Sequence, residues 1–560
     1  MKIKHLFTKE GRELTGEEYN AYPRPQLRRD SFFSLNGEWD FSYGNGEKAK
    51  ITVPYPPESA LSGICKDMGK LPQLIYERKF TLPKEFVQDR VILHFGAVDQ
   101  ICTVFLNGAR LGRNVGGYNH FSFDITKHLQ DENHLRVEVK DYLSNRVLPY
   151  GKQRRKRGGM WYTPISGIWQ SVWIESVPQE YIKSIRITPK RNGAKLLFTG
   201  INDGEVKVQC PNKTRTFPIE HGICDITLDN AVKWSPINPY LYYFTAKAGK
   251  DSVKSYFAVR TLDVKEINGI PRLCLNDEPF FFHGVLDQGY FSDGIYTPAS
   301  PSLYEKDILS MKALGFNTLR KHIKVEPDQF YYDCDRLGMV VFQDMVNNGS
   351  YSFIRDTALP TVISKRFPEG LMMRSKGERD SFINGMKKTV EQLYSFPCIC
   401  YWTIFNEGWG QFDSDEMYEH LKELDSSRFI DSTSGWFKKK KSDVESLHIY
   451  FKRVKLPKSF DKPVVLSEFG GYSLKLTDHC ANEKKTYGYK LFEEAGDLES
   501  AIVSLYEEEI IPAIDRGLCA SIYTQLSDVE DETNGFLTYD REIVKVDNEP
   551  MLKIAKKLKI

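Results

Sequence analysis

The sequence has no surplus of either charge: 77 Lys and Arg stand against 75 Asp and Glu, a formal net charge of +2 at pH 7. A chain so balanced carries no broad field to gather a polyanion, so nucleic-acid binding is disfavoured. Long apolar runs are missing too. No stretch of ~20 residues, the length a helix needs to cross a bilayer, passes without a charged side chain. The opening MKIKHLFTKEGRELTGEEYN has no apolar segment of the signal-peptide kind. The expectation is a soluble, cytoplasmic protein with no membrane partner. The ten cysteines (Cys65, Cys102, Cys210, Cys224, Cys274, Cys334, Cys398, Cys400, Cys480, Cys519) lie singly, without a CxxC pair or a histidine at metal-ligand spacing. Reduced thiols are expected, and Cys398 and Cys400, two apart in one apolar run, read as small buried side chains. With 41% hydrophobic and 27% charged residues, disorder is excluded.

What is present is too long for one core. Hydrophobic cores stop growing at roughly 250–300 residues, so a 560-residue chain divides into two or three domains. Residues 37–176 alternate with period two in short runs, GEWDFSYG, QLIYERKFTLP, RVILHFGAVDQICTVFLNGARLG, HFSFDITKHL, NHLRVEVKD and SGIWQSVWIESV, broken by Gly, Asn, Asp and Pro. That pattern predicts a β-sandwich or jelly roll over 1–178. Further runs, SIRITP, AKLLFTG, EVKVQC, YLYYFTAKA and SYFAVRTLDV, predict an immunoglobulin-like sandwich over 179–262, with WSPINPYLY as a loop entering a strand at Leu241.

From 263 to 560 strands alternate with helices, the pattern of βα units and a parallel sheet. Eight strands are predicted, at 280–285, 316–322, 339–345, 398–407, 429–435, 446–451, 463–470 and 519–526. Among the helices, 302–314 has Ser302 as N-cap and stops at Gly315, and 327–337 starts at Pro327 and stops at Gly338. Longer ones cover 373–395 and 498–516. Eight such units predict a (β/α)8 TIM barrel, whose chemistry sits at the C-terminal ends of its strands.

Two strands end in a glutamate: the fourth in Phe405-Asn406-Glu407-Gly408-Trp409, the seventh in Leu466-Ser467-Glu468-Phe469-Gly470. A carboxylate closing an apolar strand is costly to bury without a partner or a task. Two across one barrel mouth are what cleavage of a glycosidic bond requires, one to protonate the leaving oxygen and one to attack the anomeric carbon. Aromatic and polar residues at other loop tips are candidates for the walls of such a site: Trp409, Trp436 after strand five, His448, and Asp287 with Gln288 after strand one. His283, inside strand one, reads as a core residue.

These motifs resemble glycoside hydrolase family 2, the family of bacterial β-galactosidases, β-glucuronidases and β-mannosidases. The resemblance covers nearly the whole chain: LNGEWDF, YERKFTLP, VFLNG and SGIWQSVWIE in the first sandwich, FAVRTLDV closing the second, then FFFHGV, LGFNTLRKH, DRLGMVVFQDM, WTIFNEGW and PVVLSEFGG. It implies that Glu407 is the acid/base, Glu468 the nucleophile of a retaining mechanism, and Asn406 the partner of the sugar's 2-hydroxyl. It implies that Tyr450, ending SLHIY, orients Glu468, and that Arg320 braces it. In LRKH one residue is missing against the family's Arg-x-Ser-His, so His322 or Lys321 would face the sugar. No cofactor or metal is implied, and homo-oligomers are common in the family.

The sugar is less legible. The Asn-x-Lys loop of the family's β-glucuronidases is replaced by Thr533-Asn534-Gly535-Phe536, and the galactose-binding aspartate by Gly159-Met160-Trp161-Tyr162. Tyr523 stands where many relatives have Trp. The substrate expected is a terminal β-galactoside, with β-glucuronides, β-galacturonides and α-L-arabinopyranosides as alternatives; a non-catalytic carbohydrate-binding protein is the competing class. Two basic runs, KQRRKR from Lys152 to Arg157 and Lys438 to Lys441, read as solvated faces, with an anionic or phosphorylated sugar as the alternative.

Overall fold

A computed structural model describes residues 5–69, 73–143, 145–352, 354–358, 369, 375–456 and 461–560. In the first sandwich a four-stranded antiparallel sheet (Phe32–Ser34, Val172–Val177, Arg90–Phe95, Phe121–Asp124) faces a six-stranded one (Glu47–Val53, Gly37–Tyr43, Leu74–Phe80, Asn133–Lys140, Ile101–Leu106, Ala109–Val115). Asn133–Lys140 shows why these runs are strands: Leu135, Val137 and Val139 turn inward at every second position and lie opposite Leu106, Val104 and Cys102. Trp39, Phe41 and Tyr76 fill the space between the sheets. In the second sandwich a three-stranded sheet (Ser184–Lys190, Gly193–Thr199, Ile223–Thr227) packs on a four-stranded one (Lys213–Ile219, Gly204–Cys210, Tyr242–Ala248, Asp251–Phe257) around Leu196, Val206, Phe244 and Phe257. A hairpin, Leu262–Ile267 with Ile270–Leu275, then covers the N-terminal end of the barrel, where Arg272 Nη1 donates to Leu518 O at 3.1 Å.

The barrel strands are β1 Phe282–Asp287, β2 Thr318–Lys321, β3 Val340–Asp344, β4 Ile399–Asn406, β5 Phe429–Ser434, β6 Glu445–Ile449, β7 Val464–Gly470 and β8 Leu518–Thr524. They pair in parallel in the order β5-β4-β3-β2-β1-β8-β7-β6. Among the described residues no backbone ladder joins β5 to β6; side chains close that seam, with Ser434 Oγ 3.0 Å from His448 Nε2 and 3.4 Å from Ser446 Oγ.

The barrel helices include α1 Ser302–Ala313, α2 Asp328–Leu337, α3 Lys376–Leu393 and α4 Ser414–Leu424. One expected cap is corrected. Ser302 is the first helical residue, Pro301 is the N-cap, and the Ser302 hydroxyl bonds Ser300 Oγ rather than a free helical N–H. Pro301, with φ −54°, is already preset for the helix. Helix α3 opens on a capping box between Ser375 and Glu378; residues 373–374 of the expected helix lie outside the described residues. Gly338 ends α2 with φ +74°. The helix expected over 498–516 is Ala495–Leu505, a π turn Tyr506–Ile510 and a last turn Ile511–Ile514. Pro512 has no N–H for the carbonyl a turn earlier, so the regular ladder stops before it. Its register brings the Tyr506 hydroxyl to 3.1 Å from His283 Nε2, while His283 Nδ1 meets Gly315 O, giving that buried histidine two partners.

Among the described residues no disulfide is formed. Among the described residues no helix is long and apolar enough to cross a membrane.

Two buried guanidinium groups hold the start of β4. Arg428 Nε and Arg260 Nη2 both donate to Ile399 O at 2.8 Å, and Arg428 Nη1 pairs with Asp425 Oδ2 at 2.6 Å. Arg428→Met leaves Asp425 buried without its cation, a loss of about 3–5 kcal/mol. The melting temperature is expected to fall by several degrees; an unchanged one would show that the pair does not hold β4.

Candidate active site

The C-terminal end of β4 delivers Asn406, and the chain then turns sharply. Glu407 has φ +51°, left-handed for a residue with a Cβ, and its N–H is held by Ser434 O at 2.9 Å. Such a conformation costs about 1–3 kcal/mol and persists where its surroundings enforce it. It turns the side chain toward the seam between β5 and β6, where Glu407 Oε1 lies 2.8 Å from His448 Nδ1.

Glu468 lies within β7 and is almost wholly buried. Arg320 Nη1 donates to its Oε1 at 3.1 Å, and the Tyr450 hydroxyl donates to its Oε2. Burial alone would raise its pKa. Interactions with His448 and Arg320, together with the Tyr450 hydroxyl, more than offset that and hold it down to about 2. The group is therefore a carboxylate at any ordinary pH. Tyr450 is itself held in place, with its hydroxyl 3.2 Å from Thr524 Oγ1 and its ring stacked on Tyr489 at 3.9 Å.

The two glutamates converge. A carboxylate oxygen of each and a ring nitrogen of His448 all lie within 4.8 Å of one another. An oxygen of each carboxyl group therefore reaches the same small space at the barrel mouth. The same three atoms, and those of His479, Asp540 and Glu542, have a spacing a metal ion could use, although Arg320 and Tyr450 already engage both oxygens of Glu468.

Arg320 braces more than Glu468. Its Nη2 donates to Asn406 Oδ1 at 2.8 Å, its Nε to Asp344 Oδ1 at 3.0 Å and its Nη1 also to Ser467 O at 3.0 Å. With its amide oxygen taken, Asn406 has a donor, Nδ2, left to offer. His322 Nδ1 lies 2.7 Å from Asp344 Oδ2, and burial lowers the imidazole's pKa, favouring a neutral ring whose Nε2 accepts.

Other candidates fall elsewhere. Asp287 has both carboxylate oxygens engaged, by Lys321 Nζ at 2.6 Å and the Gly289 N–H at 2.8 Å. Lys321 therefore points away from the glutamates, toward Asp287, Glu326 and the Phe330 ring, because side chains alternate along β2. Trp409 is wedged between Tyr150 and Trp161 of the first sandwich, with ring centroids 5.6 and 5.1 Å away. Trp436 is half-buried, 6.2 Å from the His448 ring. Tyr523 does not floor the mouth; its ring packs among Phe469, Tyr472 and Phe536. Lys438 and Lys441 pair with Glu445 and Glu419.

Sequence reasoning missed Asp344, although a carboxylate closing the apolar run VVFQD is the signal that flagged Glu407 and Glu468. It also missed Glu532, a buried carboxyl whose pKa burial pushes up to about 7 and which accepts from the Tyr162 hydroxyl and from Gln525 Nε2 at 3.2 Å. Nothing in the local sequence announced it.

Residues 67–162 match the model described as glycosyl hydrolase 2 galactose-binding domain-like, and residues 266–472 match that of the glycosyl hydrolases family 2 TIM barrel domain. The chain is 23% identical over 421 residues to a beta-galactosidase of Thermoanaerobacter pseudethanolicus, covering 70% of this chain and 53% of that one. It is 21% identical over 444 residues to a beta-glucuronidase of Bacteroides fragilis, covering 70% and 58%. It spans 53%, 40% and 36% of the length of three of the curated relatives it matches. Among solved structures, a beta-D-glucuronidase for Dictyoglomus thermophilum aligns with a TM-score of 0.75 at 18% identity over 96% of this chain and 98% of that one. A beta-galacturonidase from Eisenbergiella tayi bound to galacturonate aligns at 0.67 and 17% over 96% and 99%. These structural likenesses bear on the fold, which they share across both sandwiches and the barrel. Two models of one family, matching in order on the first sandwich and on the barrel around Glu407 and Glu468, make this chain a member of glycoside hydrolase family 2.

Proposed function

We propose that the chain is a retaining exo-β-glycosidase acting on terminal β-linked sugars, with Glu468 as nucleophile and Glu407 as acid/base. The observation that carries this reading is the approach of one oxygen of each carboxyl group to within 4.8 Å of the other, with Glu468 held ionised. In the first step Glu468 attacks the anomeric carbon while Glu407 gives its proton to the departing glycosidic oxygen. In the second, Glu407 takes a proton from water, whose oxygen displaces Glu468 from the glycosyl-enzyme and restores both groups.

The network around Glu407 supports its part. Ser434 Oγ donates to Ser467 Oγ at 2.9 Å, so it accepts from His448 Nε2–H. Nδ1 and Glu407 Oε1 then share a single proton, on whichever of the two it rests. A proton is thus kept within 2.8 Å of the acid. Asn406 Nδ2 is the donor for the sugar's 2-hydroxyl, a bond that strengthens as charge grows at the anomeric centre. His322 Nε2 is an acceptor for another hydroxyl. The chain's relatives are named for both galactosides and glucuronides, so β-glycosides of both kinds are the substrates to try.

Turnover of 4-nitrophenyl β-glycosides is expected from the wild type. Glu468→Gln is expected to lose roughly 10⁴-fold or more, as nucleophile removal does in other hydrolases, with unchanged circular dichroism; wild-type rates would reject the assignment. Glu407→Ala keeps activity on aryl glycosides whose leaving group needs no acid, and azide restores part of the rest as a glycosyl azide. Failure of both would remove Glu407 from that role. Tyr450→Phe deletes a hydrogen bond that favours the charged form of Glu468, so its pKa rises and the acid limb of kcat/KM moves to higher pH. A bond to a charged group contributes about 1.5–3 kcal/mol, so kcat/KM falls about 10- to 150-fold. A limb that stays in place would show that the phenol does not act on the nucleophile.

A further inference from the structure

The five cations of KQRRKR do not share one environment. Arg155 and Lys156 are exposed. Arg157 reaches the loop after β8 and pairs with Glu530 at 3.2 Å and Asp531 at 3.6 Å. Arg154 lies over the Trp161 ring, its Cζ 4.3 Å from the centroid. Lys152 is different. It is half-buried, and among the described residues its ammonium has no ion-pair or hydrogen-bond partner; it lies 5.8 Å from the centroid of the Trp161 ring.

The backbone that carries Lys152 is fixed across the barrel mouth. On one side Tyr150 N donates to Asn347 O at 3.0 Å, in the loop after β3. On the other the Tyr162 hydroxyl donates to Glu532, in the loop after β8. Between them Tyr162 N donates to Lys152 O at 3.1 Å, and the buried Gln153 accepts from Ile165 N at 2.7 Å. Trp161 of the same loop packs on Trp409, two residues after Glu407. The Lys152 charge is felt inside the mouth: with burial as the larger cause, it helps to lower the pKa of His322, and it opposes the burial that raises Glu532. Both of those groups also interact with Glu468.

A cation that is partly desolvated and left unpaired is costly, and a binding site is where such a cost has a use. Glu532 does not neutralise it, since no ion pair forms and Glu532 bonds Tyr162 and Gln525 instead. The loop after β8, Thr533 to Phe536, brings no cation of its own. We propose that Lys152, reaching from the first sandwich over the barrel mouth, is a specificity residue that binds an anionic substituent of the glycone, the carboxylate of a uronic acid. This rests on the glycosidase reading above. It assigns the charge recognition to the first sandwich rather than to a barrel loop.

The test compares kcat and KM of the wild type, Lys152→Met and Lys152→Arg on 4-nitrophenyl β-D-glucuronide, β-D-galacturonide, β-D-galactoside and β-D-galactoside 6-sulfate, with the melting temperature of each variant as folding control. A uronide is expected to be the wild type's best substrate, with a preference that weakens as salt is added. Lys152→Met is expected to lose roughly 10- to 150-fold in kcat/KM on it, the scale of a charge-assisted hydrogen bond. The loss should fall mainly on KM, be partly recovered in Lys152→Arg, and leave any galactoside activity nearly unchanged. Equal losses on neutral and anionic sugars would overturn the proposal and make Lys152 a structural counter-charge to Glu532. A sulfate preference lost in Lys152→Met would overturn the carboxylate. Turnover of the galactoside alone would overturn the inference and leave the glycosidase reading standing. Silence on every glycoside, with wild type and Glu468→Gln alike, would remove both.

Discussion

The guanidinium of Arg320 is the joint on which the barrel mouth depends. From β2 it reaches Asp344 on β3, Asn406 on β4, and both Ser467 O and Glu468 on β7, filling the centre of the barrel with one planar fork of five N–H donors. A buried cation of this kind is tolerable only because carboxylates and carbonyls surround it, and those groups are tolerable only because it is there. The result is that the Glu468 carboxylate, the Asn406 amide and the Asp344 carboxylate are placed relative to one another by a single side chain. The low pKa of Glu468 is one consequence, since Arg320 is among the charges that more than offset its burial.

A second constraint works at the seam of the barrel. Seven of its neighbouring strand pairs are joined by backbone ladders, and the eighth junction, β5 to β6, is bridged by Ser434, Ser446 and His448. That opening is where the backbone of Glu407, in its left-handed conformation, turns its side chain. The strained residue and the incomplete ladder occupy one place, and the histidine that joins them serves both: Nε2 closes the barrel, Nδ1 meets the glutamate. The strained backbone persists because Ser434 O and His448 over-determine the residue.

The first sandwich packs directly on the barrel mouth. Apolar contacts continue from the barrel into Tyr118, Trp161, Tyr162 and Trp169, and its loop 150–163 spans from the end of β3 to the end of β8. Trp409, which the sequence marked as a loop aromatic, is spent on this junction, packed against Trp161. The junction positions whatever that loop presents to the mouth, Lys152 included.

How much of this was legible follows from range. Period-two alternation over 37–176, helices opened by proline and closed by Gly315 and Gly338, and glutamates closing apolar strands are local signals, carried by residues a few positions apart, and they led to the two sandwiches, the eight barrel strands and the family. The motif FQDM carried the same signal for Asp344 and went unread. What the sequence alone determined is therefore the order of elements and the residues at strand ends. Only the tertiary structure decided that Lys321 turns from the mouth while Arg320 and His322 face it, that His448 stands between the two glutamates, that Glu532 is buried beside them, and that one lysine of a basic run remains unpaired. These depend on strand pleat, on seam geometry and on contacts between residues hundreds of positions apart, where burial and neighbouring charge, rather than residue type, set the chemistry of a side chain.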